Sequence, residues 1–219
     1  MSSLSVAAAD NEETRPREWL LLGALLLAGL FLRLLLIGAE GYKGDISSFE
    51  SWSLTLAQNP LADFYNKAGF IDYPPGYLYV LLGIGYTWTH QHLVGLTDYE
   101  YLKWLVKLPA IIMDLVNAGL IFLIVRQFAK RSVAFAAAAF LAFNPAAIMV
   151  SAYWGQADSV SAGLAVAAIL CLVLAQTRED RGWMVVLGWI ALTGSILMKP
   201  AASVLVALFV LYPLLGAKR

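Results

Sequence analysis

The sequence has few charged residues and only one cysteine. Of its 219 residues, 14% are charged and 60% are hydrophobic, whereas soluble globular domains carry roughly 25% charged residues. The formal net charge is +0, so no basic field favours nucleic acid as a partner. Cys171 lies in an apolar run, where it packs as a small hydrophobe and has no second cysteine to pair with. These deficits exclude redox chemistry as a main function and leave the bilayer as the main solvent.

What the chain has instead is a series of apolar runs. The first, Trp19–Ile37, can cross a hydrocarbon core of about 30 Å. It contains Arg33 and is not followed by an A-x-A cleavage site, so we interpret it as a retained helix and not as a signal peptide. The later runs are Tyr77–Trp88, Leu105–Val125, Val133–Val150, Ser159–Ala175, Trp183–Met198 and Ala201–Leu215.

The basic residues indicate whether Tyr77–Trp88 crosses the membrane. If this run lies along the outer interface, nine basic residues are cytoplasmic and five are outside; if it spans, the excess is reversed and the positive-inside rule is violated. Its twelve residues are also short for a span and follow Pro74-Pro75, which favours an interfacial helix. The nine are Arg15, Arg17, Arg126, Lys130, Arg131, Arg178, Arg181, Lys218 and Arg219, and the five are Lys43, Lys67, Lys103, Lys107 and Lys199.

The sequence therefore predicts an all-α integral membrane protein with six transmembrane helices. Residues 1–18 form a cytoplasmic tail, and residues 19–219 form one transmembrane module in the inner (plasma) membrane, with both termini cytoplasmic. Residues 38–104 form a long outer loop. The polar residues that gather on the outer side are Asp45, Glu50, Asp63, Asp72, His90, His92, Asp98, Glu100, the turn at 153–158 and Lys199. A functional site is expected at the outer membrane surface.

A helix is predicted near the start of this outer loop. Asp45 is a good N-cap, and Ile46, Phe49 and Trp52 follow it at amphipathic spacing. Capping alone would account for the aspartate. The spacing therefore leaves a capping role and a functional role open.

Several ordered motifs resemble the amino-terminal half of a GT-C membrane glycosyltransferase, and the similarity is greatest to the bacterial group related to the GPI-anchor mannosyltransferases. It extends from Trp19 to Leu215. The motifs are Gly44-Asp45, Phe49-Glu50-Ser51-Trp52, Asp72-Tyr73-Pro74-Pro75, Lys107-Leu108-Pro109 with Asp114, Asn144-Pro145, Trp154-Gly155-Gln156-Ala157-Asp158-Ser159 and Lys199-Pro200. The resemblance implies two membrane-lying amphipathic helices in the outer loop, with Asp45 as the catalytic base.

The implied reaction is transfer of a mannose-like hexose from a polyprenyl-phosphate-linked donor to a hydroxyl acceptor on a glycan, lipid or protein. No nucleotide-binding loop is needed, and the sequence contains none. The leaving phosphate needs positive charge or hydrogen-bond donors. Lys199 ranks first for this role, before Lys107 and the histidines at 90 and 92, although a lysine that snorkels to the interface is the alternative.

Other side chains are expected to bind the sugar. Gln156 and Asp158 would bind its hydroxyls, and Trp154 would stack on its face. The alternative is that Asp158 caps the following helix and Trp154 anchors at the interface. The full set of expected substrate-binding residues is Glu50, Asp72, Tyr73, Lys107, Trp154, Gln156, Asp158 and Lys199.

Asp114 lies within the run Leu105–Val125. An ionisable group in a span is paired or functional, and we favour a structural pair with Lys107 or Arg33 over direct catalysis. No cofactor and no metal ion are predicted, since two histidines alone do not form a zinc site. A hard cation shared by Asp45 and Asp158 would require the fold to bring the two together.

Length bears on activity, because relatives of this group continue with further helices. The chain is therefore expected to be incomplete at its carboxyl end or to need a partner subunit. A second hypothesis is a non-catalytic module that binds polyprenyl lipids or assembles a larger envelope complex. A solute transporter is disfavoured, because no inverted repeat is visible and the ionisable residues cluster outside the midplane.

Overall fold

The computed structural model describes residues 3–90, 99–177 and 182–216, and every regular element in these ranges is a helix. The helices are α1 (Ser3–Leu34), α2 (Lys43–Gln58), α3 (Phe64–Lys67), α4 (Pro75–Thr89), α5 (Tyr99–Arg126), α6 (Arg131–Ala142), α7 (Pro145–Ile148), α8 (Asp158–Thr177), α9 (Gly182–Met198) and α10 (Val206–Gly216). A π-helical turn covers Met149–Trp154, and 3₁₀ turns cover Leu61–Asp63 and Pro200–Leu205. Six residues used in the sequence analysis lie outside the described ranges: His92, Asp98, Arg178, Arg181, Lys218 and Arg219.

Three helical stretches among the described residues are long and apolar enough to cross a membrane: Glu100–Arg126, Arg131–Trp154 and Asp158–Gln176. Gly182–Met198 and Pro200–Tyr212 are shorter apolar helices. The second stretch is interrupted at Asn144, whose side-chain oxygen accepts a hydrogen bond from the Ala146 N–H at 2.9 Å and caps α7. The prediction of an all-α membrane protein is confirmed.

Helix α5 is the central element. It packs against α1, α2, α4, α6 and α8, and α8 in turn packs against α9. Small residues line these contacts, since Ala118 of α5, Ala138 of α6 and Ala168 of α8 are all fully buried. Small side chains let membrane helices approach closely, which is how bundles pack without a hydrophobic driving force between them.

Helices α2 and α4 pack side by side and run in the same direction, since Phe49 contacts Tyr77 and Ser53 faces Gly85. Both pack against the amino-terminal end of α5. Gly85 permits this pairing, since a Cβ atom there would lie 2.0 Å from the Ser53 carbonyl oxygen of α2. The face predicted for α2 is buried as expected, and it shares one apolar core with α4. The core residues of these two helices are Ile46, Phe49, Trp52, Leu56, Tyr77, Leu78, Leu81 and Ile84.

Candidate active site

Two glycines with positive φ, Gly41 and Gly155, shape the meeting of the chain before α2 with the turn between the π-helical segment and α8. Gly41 has φ +66°, and a Cβ atom there would lie 2.5 Å from the Tyr153 carbonyl oxygen. Gly155 has φ +89°, a left-handed conformation that favours glycine. It ends the π-helical turn, and the N–H groups of Gly155 and Gln156 both donate to the Val150 carbonyl oxygen. Side chains far apart in sequence therefore meet here.

The carboxylate of Asp45 receives hydrogen bonds from this turn. Its Oδ2 accepts from Trp154 Nε1 at 2.8 Å and from Gln156 Nε2, while Oδ1 accepts none from the residues that the structure describes. Helix α2 begins at Lys43 with Tyr42 as its N-cap. Of the two roles that the spacing left open for Asp45, the capping role is therefore wrong: the residue lies inside the first turn, where the helix dipole favours a negative charge, and its partners are side chains.

A cavity of about 360 Å³ opens beside this carboxylate. Five residues expected from the sequence line it: Asp45, Asp72, Tyr73, Gln156 and Lys199. The other lining residues were not assigned to a site from the sequence. They are Ser48, Phe49, Trp52, Phe70, Pro74, Pro200 and Ala201. The small and apolar members of this second group carry no sequence pattern that separates a cavity wall from a core.

Lys199 supplies the positive charge of the cavity wall. It precedes the 3₁₀ turn Pro200–Leu205, and its Nζ forms an ion pair with Asp158 Oδ1. The same Nζ lies 5.7 Å from the centroid of the Tyr73 ring. About a third of the lysine side chain is exposed. Asp158 therefore contacts the cavity wall through its ion pair with Lys199, and Trp154 does so through its hydrogen bond to Asp45.

An aromatic cluster forms another part of the cavity wall. Phe49 packs edge to face against Trp52, Tyr73 and Tyr77, with ring centroids 5.4 to 5.8 Å apart. The Tyr73 hydroxyl donates to Gln156 Oε1 at 3.2 Å, so Gln156 links Tyr73 to Asp45. Burial, followed by the nearby negative charges, raises the pKa of Tyr73 above its usual range. The hydroxyl therefore remains a donor at neutral pH.

Four expected substrate-binding residues do not line this cavity. Trp154 and Asp158 contact residues that do, whereas Lys107 and Glu50 have other partners. Lys107 is fully buried, and its Nζ donates to the carbonyl oxygens of Ile37 at 3.2 Å and Ala39 at 2.6 Å. It ties the chain after α1 to α5. Glu50 is partly buried on α2, where burial raises the pKa of its carboxyl group and the charge of Lys103 opposes that rise.

His90 also lies away from the cavity. It follows the last residue of α4, where its ring stacks on Tyr86 and its Nδ1 lies 2.9 Å from the Tyr86 carbonyl oxygen. Among the described residues, no three His, Cys, Asp or Glu side chains are grouped so that they could hold a metal ion.

Asp114 forms the structural pair expected from the sequence, and its partner is Arg33. Arg33 Nε donates to Asp114 Oδ2 at 3.0 Å, and both side chains are buried. The alternative pairing with Lys107 is wrong, because that ammonium group is bound to backbone carbonyls. Two further donors to this carboxylate, the hydroxyls of Ser151 and Ser159, were not predicted from the sequence.

One comparison with known proteins identifies a family. A sequence model described as dolichyl-phosphate-mannose-protein mannosyltransferase matches residues 83–219, which is more than half of the chain. No curated protein and no solved structure matches significantly. The matched range includes Gln156, Asp158 and Lys199, whereas Asp45 precedes it. The match confirms the GT-C resemblance.

Proposed function

Since the chain belongs to the dolichyl-phosphate-mannose-protein mannosyltransferase family, we propose that it transfers a mannose-like hexose from a polyprenyl-phosphate-linked donor to a hydroxyl acceptor at the outer face of the membrane. The acceptor oxygen attacks the anomeric carbon and forms the new glycosidic bond. The bond from that carbon to the phosphate oxygen breaks, and the lipid phosphate leaves with the electron pair. Asp45 takes the hydroxyl proton as general base, a contribution of about 10²- to 10⁴-fold.

The observation that carries this proposal is the arrangement around Asp45. One carboxylate oxygen is held by two donors, Trp154 Nε1 and Gln156 Nε2, so the group has a fixed orientation. The other oxygen accepts no hydrogen bond from the described part of the chain, and the side chain borders the cavity. A general base needs one oxygen within hydrogen-bond reach of the proton it takes. Oδ1 is the oxygen left available for an acceptor bound in the cavity.

Lys199 is the proposed partner of the donor phosphate. Negative charge on that phosphate increases as the glycosidic bond to it breaks, and a fixed cation stabilises this charge. Lys199 lines the same cavity as Asp45 and is partly exposed, so its ammonium group can bind the phosphate while it stays close to Asp158.

The remaining polar groups are proposed to bind the sugar. Asp72 and Gln156 offer hydrogen-bonding groups to its hydroxyls at the cavity wall. Tyr73 and Trp52 add aromatic surface, on which the apolar face of a hexose can pack. Trp154 and Asp158 act on this site through their contacts with Asp45 and Lys199. The proposed reaction has no step that passes through a metal ion.

We also propose the membrane placement expected from the sequence, with six spans, an outer loop over residues 38–104 and cytoplasmic termini in the inner membrane. The two ends of α5 support it. Leu102, near its beginning, packs in the core shared by α2 and α4, and this core includes the cavity-lining residues Phe49 and Trp52. Arg126, at its end, pairs with Glu18 at 3.0 Å, and Lys130 and Arg131 follow. A basic turn opposite the cavity agrees with the positive-inside rule, and α2 and α4 would then lie along the outer surface.

The donor class is tested with the full chain reconstituted in vesicles. We expect transfer of radiolabelled mannose from polyprenyl-phosphate mannose to a hydroxyl acceptor, and none from GDP-mannose. Transfer from the nucleotide sugar would contradict the proposed donor class. Absence of transfer from every lipid-linked sugar tried would instead favour a non-catalytic module that binds polyprenyl lipids.

A further inference from the structure

The segment 151–159 carries three side chains of the proposed site. Trp154 and Gln156 hold Asp45, and Asp158 holds Lys199. The segment contains the left-handed Gly155 and links the π-helical turn to α8. A turn of this kind is not fixed by a continuous helical ladder, so its position depends on what holds its ends.

One buried carboxylate holds both ends. Ser151 Oγ donates to Asp114 Oδ2 at 2.6 Å, and Ser159 Oγ donates to Asp114 Oδ1. Ser151 precedes Trp154 by three residues, and Ser159 follows Asp158 directly. The exposed fractions are 0% for Ser151, 8% for Ser159 and 4% for Asp114. Because water has almost no access, these hydrogen bonds are not exchanged for bonds to solvent.

Arg33 fixes the carboxylate in turn. Its Nε donates to Asp114 Oδ2 at 3.0 Å, and its Nη1 donates to the carbonyl oxygens of Ala142 at 2.6 Å and Gly29 at 3.0 Å. Arg33 therefore connects α1 and the end of α6 to Asp114 on α5. It also neutralises a carboxylate that would be costly inside a membrane-spanning helix without a partner.

We infer that Asp114, held by Arg33, is a positioning residue for sugar transfer, because through Ser151 and Ser159 it fixes the segment that orients Asp45 and Lys199. This inference rests on the function proposed for the cavity. A carboxylate can hold both serines, because its two oxygens can each accept a hydrogen bond from one hydroxyl. An asparagine side chain has only one acceptor oxygen.

The test removes the serine hydroxyls one at a time, because Asp114→Asn would leave the buried Arg33 without its counter-ion. Ser151→Ala and Ser159→Ala are compared with the wild type and with Ser53→Ala. Ser53 is equally buried, but its hydroxyl donates only within α2, to the Glu50 carbonyl oxygen. The full chain is used, and every variant is first checked for folding by its thermal transition.

Two readouts are taken from each variant. Hydrogen exchange is measured at the amides of Gly155 and Gln156. In the wild type, both amides are protected by their hydrogen bonds to the Val150 carbonyl oxygen. We expect exchange to accelerate about fivefold or more in both serine variants and to stay unchanged in Ser53→Ala. We expect kcat for transfer to fall about tenfold, with a smaller change in donor KM, because the base is misoriented while the cavity persists.

A background without the two contacts to Asp45 separates positioning from general destabilisation. In the Trp154→Phe/Gln156→Ala background, Ser151→Ala should lower kcat by less than about twofold, since both contacts through which the segment holds Asp45 are already gone. Unchanged exchange in both serine variants overturns the inference, and so does an equal loss of kcat in Ser53→Ala. If the wild type transfers no sugar, the proposed function fails, while the exchange measurement still decides whether Asp114 fixes the segment.

Discussion

At the scale of single residues, the hydrogen bonds to one carboxylate define the site. Trp154 and Gln156 both donate to Asp45 Oδ2, and Tyr73 extends the chain of contacts through Gln156. These contacts orient a group that the proposed mechanism uses as its base. Each of these hydrogen bonds can be removed by a substitution that leaves the apolar core packed.

Trp154→Phe removes the indole N–H while it keeps an aromatic ring against Tyr42. We expect kcat for transfer to fall about tenfold, because a hydrogen bond to a charged group contributes roughly 1.5–3 kcal/mol. Steady-state transfer assays measure the change. Trp183→Phe, at an exposed position near the start of α9, is the matched control. Equal activity of the two variants would show that the indole donor has no part in orienting the base.

Glu50→Gln tests a residue that the sequence assigned to substrate binding and the structure locates outside the cavity. Burial raises the pKa of this carboxyl group, so the folded chain holds its proton more tightly than the unfolded chain does. The stability that this group contributes is present at low pH and is lost as pH rises through the raised pKa.

The stabilising effect of Glu50→Gln should therefore grow as the pH rises from acid to neutral, and transfer should stay within about twofold of the wild type. Thermal unfolding across this pH range measures the first effect, and Glu40→Gln, at an exposed carboxylate, is the control. A large rise in donor KM would instead restore Glu50 to the substrate site.

The site residues were predicted mainly from the motif resemblance. Whether they meet in the structure depends on backbone geometry. Asp45 meets Trp154 and Gln156 across 109 and 111 positions of sequence. Their meeting depends on two glycines with positive φ and not on any spacing. Lys107 was expected near a phosphate, but it binds two backbone carbonyls. Carbonyl groups occur at every residue, so no sequence pattern marks these two as its partners.

At the scale of secondary-structure elements, the pair α2–α4 forms one wall of the site and depends on close approach. Its buried face followed from the amphipathic spacing of Ile46, Phe49 and Trp52. The contact at Gly85 did not, because glycine in a helix is ordinarily unfavourable and the sequence does not reveal what packs against it.

Gly85→Ala should separate the two helices. The added Cβ atom would meet the Ser53 carbonyl oxygen at 2.0 Å, and overpacking of this kind typically costs about 1–3 kcal/mol. Gly83→Ala is the matched control, since a Cβ atom there meets nothing within 4 Å. We expect a lower thermal transition and weaker transfer for Gly85→Ala alone. Equal stability of the two variants would contradict the packing described for α2 and α4.

At the scale of the whole molecule, the apolar runs predicted the helices well, because bilayer thickness and backbone hydrogen bonding allow few other structures. The predicted interfacial run Tyr77–Trp88 corresponds to α4, Pro75–Thr89. The order in which helices pack around α5 could not be predicted. Ala and Gly residues occur in most of the helices, so they do not indicate which helix packs against which.

The proposed orientation in the membrane predicts which positions reagents can reach. In a Cys171→Ala background, the thiol introduced by Lys43→Cys should react with a membrane-impermeant maleimide on intact cells. The thiol introduced by Lys130→Cys should react only after the membrane is permeabilised. Both lysines are exposed, so burial does not explain a difference between them. Labelling of both from outside, or the reverse pattern, would contradict the topology.

The most direct test of the central claim is the single-turnover rate of sugar transfer from polyprenyl-phosphate mannose by Asp45→Asn. Asn keeps the size of the side chain but cannot act as a base at neutral pH. We expect a rate about 10²- to 10⁴-fold below the wild type, with an unchanged thermal transition, and no comparable loss in Asp63→Asn, a variant at an exposed aspartate away from the cavity. Transfer by Asp45→Asn at the wild-type rate would contradict the assignment of Asp45 as the general base.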